Sequence, residues 1–140
     1  MRKMLLTAVA AAALFASGAV RAEVVKLHAN LSGSQEVPPK NTNATGTMNG
    51  TLDTATKKLT YDISYTGLSG PATMAHIHGP AAAGANAPIL VPFQNATSPI
   101  AGTMTVNNAT EQAIMDGKAY VNVHTAANPG GEIRGQITKQ

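Results

Sequence analysis

The stretch "VVKLHANLS", residues 24–32, alternates apolar and polar side chains with a period of two, and the same alternation returns along the chain between short Gly, Pro and Asn interruptions. Successive side chains of a strand point to opposite faces, so this period suits a sheet with one buried face and gives a helix no apolar stripe. Val25, Leu27, Ala29 and Leu31 form the inward face, with Lys26, His28 and Asn30 outward. Residues 45–52 and 57–68 are expected to form a hairpin around Asp53 to Thr56, with Leu59, Tyr61, Ile63 and Tyr65 sharing a face. Further strands are expected at 72–79, 88–93, 101–106, 118–125 and 131–138, the last two flanking the turn "AANPGG". Pro38 and Pro39 have no amide hydrogen to give a ladder, so the segment around them is a loop. Only "ATEQAIMDG", residues 109–117, reads as helix. Seven or eight short strands at this spacing predict an all-β antiparallel sandwich or barrel with one short helix.

The chain has no cysteine, so its core forms without disulfides and it offers a metal no thiolate. Arg2 and Lys3 precede an alanine-rich apolar run from Met4 to Ala16, and Val20, Arg21 and Ala22 suit a signal peptidase. Residues 1–22 are therefore expected to be a removed signal peptide and residues 23–140 a single domain, periplasmic or secreted. The apolar run is short beside the roughly 20 residues a bilayer span needs. Ten Lys and Arg less Arg2, Lys3 and Arg21 leaves seven, against seven Asp and Glu. A mature net charge of zero excludes an electrostatic case for nucleic acid or an anionic membrane as partner, and the pI of 9.4 belongs to the precursor.

Three of the four histidines carry the chemistry. His76 and His78 in "MAHIHGP" lie two apart, so on a strand they project from one face with Cα atoms about 6.5–7 Å apart. Imidazoles converge from that spacing onto one ion at nitrogen distances of about 2.0–2.1 Å. In "AYVNVHT" the core claims Val121 and Val123, leaving Tyr120, Asn122 and His124 on the opposite face. His76, His78 and His124 are thus predicted metal ligands outside the core, provided their strands are neighbours. The bland alternative is solvated or hydrogen-bonded surface histidines. His28 also lies on a polar face and is either a fourth ligand or without a role, the second reading being favoured. Met74 shares the face of His76 and His78, and either offers a soft thioether to Cu(I) or fills packing space. Glu132 and Arg134 share a face and are expected to form an ion pair; the sharper alternative has them orienting a histidine.

"LSGSQEVPP" (31–39), "AHIHGPA" (75–81) and "GKAYVNVHTAANPGGEIRGQI" (117–137) resemble the signature segments of the CHRD domain, a module named after chordin that also occurs as a small exported bacterial protein. In chordin the domains belong to an extracellular growth-factor antagonist, a role with no evident counterpart in an exported bacterial protein. More distantly, "AHIH" followed by "YVNVHT" and a Gly-rich turn is similar to copper,zinc superoxide dismutases. There a His-x-His pair and a histidine near the C-terminus hold copper on the outer face of an eight-stranded Greek-key barrel. This resemblance implies a superoxide-dismutase-like Greek-key fold with His76 and His78 as paired ligands and His124 as the third. No histidine lies between His78 and His124 and cysteine is absent, so the bridging ligand, the zinc loop and the disulfide of those enzymes are missing. Arg134 lies near the turn of their guiding arginine but out of clear register.

Three neutral imidazoles favour copper over zinc, because copper tops the divalent affinity order. No Ser-His-Asp set, carboxylate pair or phosphate-cradling loop is present, so no catalytic residue is assigned, residual dismutase-like redox chemistry apart. The expected function is copper binding in copper handling or a weak redox role. The alternative is a metal-free extracytoplasmic interaction module with a protein partner.

Overall fold

The computed structural model describes residues 21–140, so the expected signal peptide falls almost wholly outside the described residues. The elements are β1 (Val24–Ser32), a 3-10 turn (Gly33–Gln35), β2 (Thr45–Asp53), β3 (Lys58–Thr66), β4 (Ala72–His78), β5 (Ile89–Pro92), β6 (Ile100–Thr105), α1 (Asn108–Met115), β7 (Tyr120–Thr125), β8 (Ile133–Gln136) and β9 (Thr138–Lys139). Nine strands form one antiparallel sheet in the order β5-β4-β7-β8-β1-β2-β3-β6, with β9 beside β1, curled into a half-barrel. The expected all-β antiparallel class with one short helix is what the chain adopts.

Alternation sets each register, because a slip of one residue would turn every apolar side chain outward. Along β1 the burial runs in strict alternation, and Leu27, Ala29 and Leu31 are enclosed. On β2 Met48 stands opposite Ala29 and Leu52 opposite Val25, and on β3 Ile63 and Leu59 follow them, all four buried, while Tyr61 and Tyr65 pack against this core. Asp53 closes the β2–β3 hairpin by accepting from the amides of Ala55 at 2.9 Å and Thr56 at 3.2 Å. The helix starts where the Asn107 side chain accepts from the Thr110 amide at 2.8 Å, and buries Ala113 and Ile114. It ends before Gly117, whose φ of +69° an L side chain rarely adopts.

The two halves of the sheet meet where β8 lies against β1. A Cβ on Gly135 would overlap the Asn30 carbonyl oxygen, so only glycine permits this approach. Gly135→Ala is expected to destabilise the fold by about 2–3 kcal/mol, as overpacking against backbone does. A fall in the urea midpoint with unchanged slope checks this; an unshifted midpoint would show that the strands separate freely. The expected final strand 131–138 is in fact split, since β8 pairs with β7 and β9 with β1.

Candidate metal centre

Strands β4 and β7 are direct neighbours, the condition the histidine reading required. Their register sets Met74 opposite His124, His76 opposite Asn122 and His78 opposite Tyr120. Between these, Ala75 and Ile77 face Val123 and Val121 in the core. The three rings then gather, with centroids 4.8 Å apart for His76 and His124, 5.3 Å for His76 and His78, and 6.0 Å for His78 and His124. One nitrogen from each lies within 4.8 Å of those of the other two. Imidazole nitrogens stand about 2.0–2.1 Å from a bound metal ion, so the three rings would have to draw closer together to share one.

Hydrogen bonds fix which nitrogens are free. His78 Nδ1 is 2.9 Å from the Ala87 carbonyl and His124 Nδ1 is 2.9 Å from the Pro129 carbonyl. A carbonyl only accepts, so both Nδ1 atoms carry the proton and both Nε2 atoms present lone pairs. His76 Nδ1 stands 3.0 Å from His124 Nε2, and in the neutral cluster it must donate there. His78 Nε2 is buried with no hydrogen-bond partner. A buried acceptor left so costs about 1–3 kcal/mol unless something else engages it. His78 Nε2 and His124 Nε2 thus turn lone pairs towards the cluster, and His76 Nδ1 lies against the second of them.

Burial also favours the neutral form of His76 and His78. The pKa of His76 is lowered first by desolvation, then by His124 and His78. That of His78 is lowered by desolvation, with the Ala87 hydrogen bond opposing and the charges of His124 and Arg134 adding to the fall. Neutral imidazole is the form that binds metals.

The sequence places this face outside the core, and it is outside the core, but it is not open surface. His76 and His124 are each only 6% exposed, and every residue of β7 is buried. Loops from remote parts of the chain roof the sheet here. Gln136 Nε2 donates to the Ala81 carbonyl at 2.9 Å, Asn86 Nδ2 donates to the Val37 carbonyl at 3.3 Å, and the Ala87 amide donates to the Tyr120 hydroxyl at 3.1 Å. No periodicity within a strand reveals such a cover.

Tyr120, Asn122 and Glu36 belong to this surround, and no metal-ligand pattern singled them out. Tyr120 stacks on His78 with centroids 5.0 Å apart and planes 2° from parallel, and the Arg134 guanidinium lies 4.3 Å from the same tyrosine ring centroid. Arg134 also donates from Nε to Glu36 Oε2 at 2.8 Å and from its terminal nitrogens to Asn86 Oδ1 at 2.8 Å and the Ala85 carbonyl at 3.3 Å. The arginine thus anchors the loop whose Ala87 carbonyl orients His78. Glu36 in turn accepts from the Asn122 side chain.

The expected Glu132–Arg134 ion pair does not form: Arg134 pairs with Glu36, the one salt bridge among the described residues. Nor does Glu132 orient a histidine. It is fully buried and accepts from Thr42 Oγ1 at 2.8 Å, the Ser69 amide at 2.9 Å, Ser69 Oγ and Thr125 Oγ1 each at 2.7 Å, and Asn128 Nδ2 at 3.3 Å. Burial pushes its pKa up, but the bonds from Ser69, Thr125 and Thr42 outweigh that and hold it at about 2. His28 stands apart from the cluster, between Asn49 Oδ1 at 3.0 Å and Asn30 Oδ1 at 3.1 Å. Met74 is 49% exposed and lies outside the buried core.

An antiparallel β-domain with a roofed cluster of three imidazoles is what the fold and site define. The CHRD domain family matches residues 27–137, and the chain belongs to that family. No curated protein and no solved structure matches it. Among the described residues no helix is long and apolar enough to cross a membrane.

Proposed function

We propose that this chain is an exported CHRD-domain protein that binds one copper ion through His76 Nδ1, His78 Nε2 and His124 Nε2. The observation that carries the reading is His78 Nε2, buried without a partner beside two further imidazole nitrogens within 4.8 Å. A metal ion satisfies all three lone pairs at once. Copper ranks ahead of zinc for such a set. Carbonyl acceptors at the far nitrogens of His78 and His124 supply the outer support that metal-bound histidines usually have. The metal-free interaction module leaves the orphaned nitrogen without a purpose.

Copper handling is the favoured role, with any redox turnover weak, since the cluster among the described residues is made of three histidines and includes no carboxylate to act as acid or base. The alanine-rich residues 1–22 support export to the periplasm or beyond. The test is metal analysis of untagged protein offered copper and zinc together. About one copper per chain is expected, and none in a His76→Ala/His78→Ala double variant; binding that survives the double substitution would refute the site.

The lowered pKa values of His76 and His78 set a second expectation. Protons compete with metal for the same lone pairs, and they compete less where the ring pKa is depressed. Copper is therefore retained on acidification past about pH 6.5, the ordinary imidazole value. Half-release at or above that pH in a copper-release titration would contradict the lowered pKa values of His76 and His78.

A further inference from the structure

We infer that Met74 is a fourth copper donor, one that takes part when the ion is cuprous; the inference rests on the three-histidine reading. Met74 lies directly across the β4–β7 ladder from His124, and two residues before His76 on the same face. Directly opposed residues in an antiparallel pair have Cβ atoms about 4.5–5.5 Å apart, so an unbranched side chain there reaches its neighbour's ring. Met74 is not part of the buried core. At 49% exposed it is one of three exposed large apolar side chains among the described residues, while His76 and His124 beside it are each 6% exposed. The site is thus roofed by loops over His78 and bordered at its other end by one half-exposed methionine.

The donor chemistry fits that place. Thioether sulfur is a soft ligand that selects Cu(I) over Cu(II) and Zn(II), whereas imidazole accepts all three. Three imidazoles alone hold either oxidation state; adding Met74 biases the site to the reduced ion. Methionine has three rotatable bonds and no charge, so it can swing onto the ion at little desolvation cost. Coordination adds a Cu–S bond and transfers no electron, so no oxidant or reductant is required.

Met74→Leu keeps the shape and bulk of an exposed side chain and should leave the fold intact. Cu(I) affinity would be measured anaerobically on the full mature chain against a chromogenic Cu(I) chelator, and Cu(II) affinity against a Cu(II) chelator. The substitution is expected to weaken Cu(I) about tenfold or more and Cu(II) less than about threefold, the former equal to about 1.4 kcal/mol. X-ray absorption of the Cu(I)-loaded wild type should show one sulfur neighbour that Met74→Leu lacks. Wild type binding Cu(I) with nitrogen neighbours alone and Met74→Leu binding equally well would overturn this inference and leave the histidine site standing. A wild type that binds no copper in either state would overturn both.

Discussion

His124→Ala is expected to lower copper affinity at least about a hundredfold while the sheet stays folded. Removing a group that merely orients a metal-bound histidine typically costs 10–100-fold, and His124 is proposed as a ligand itself. The substitution takes away Nε2, leaves His76 Nδ1 without its 3.0 Å partner, and opens a gap on the outer face of β7. It also strips the Pro129 carbonyl of its donor, a loss of about 1–3 kcal/mol in stability. Val121 and Val123, which hold the strand in the core, are untouched. His28→Ala is the matched control, since the His28 ring bonds to Asn49 and Asn30 on another part of the sheet. Isothermal titration of the two variants separates the outcomes. Equal affinity in both would mean that copper sits elsewhere.

The second large effect concerns the fold. Glu132→Ala is expected to cost about 2–4 kcal/mol, because it removes a fully buried carboxylate that holds five hydrogen bonds and leaves the buried Thr125 hydroxyl unpaired, while Thr42, Ser69 and Asn128 can turn to water. Thr42, Ser69 and Thr125 lose their acceptor together, and with it the tie between the segments before β2 and before β4 and the end of β7. The same carboxylate sets an acid limit. Its folded pKa of about 2 lies below the ordinary 4.5, so the unfolded chain takes up the proton first. Its stabilisation is therefore complete above about pH 4.5 and is lost as pH falls from there towards 2. Urea midpoints measured down this range should fall in the wild type and fall less in Glu132→Ala. Parallel slopes in the two would show that the carboxylate is not held ionised.

What the sequence made legible follows the range of the interactions involved. Alternation is local, and the bounds and inward face of β1 were read from residues 24–32 alone. The His76–His78 pair was legible for the same reason, since a spacing of two fixes a shared face. Joining His124 to that pair needed β4 beside β7, a matter of topology that alternation leaves open. The burial of the site was not legible, because the cover comes from loops around Glu36 and Ala81 to Ala87. Arg134 and Glu36 stand 98 residues apart, and no local pattern pairs them. The mistaken pairing of Arg134 with Glu132 shows the same limit from the other side. Shared-face reasoning assumes one continuous strand, but β8 begins only at Ile133, just beyond Gly131 with its φ of +119°. Glu132 precedes the ladder and turns to Thr42 and Ser69, while Arg134 lies within it and meets Glu36.

The most direct test is anomalous diffraction at the copper edge from crystals of the copper-loaded protein. A single peak about 2.0–2.1 Å from His76 Nδ1, His78 Nε2 and His124 Nε2 is the predicted result. A peak bound to other side chains, or none between these rings, would contradict it.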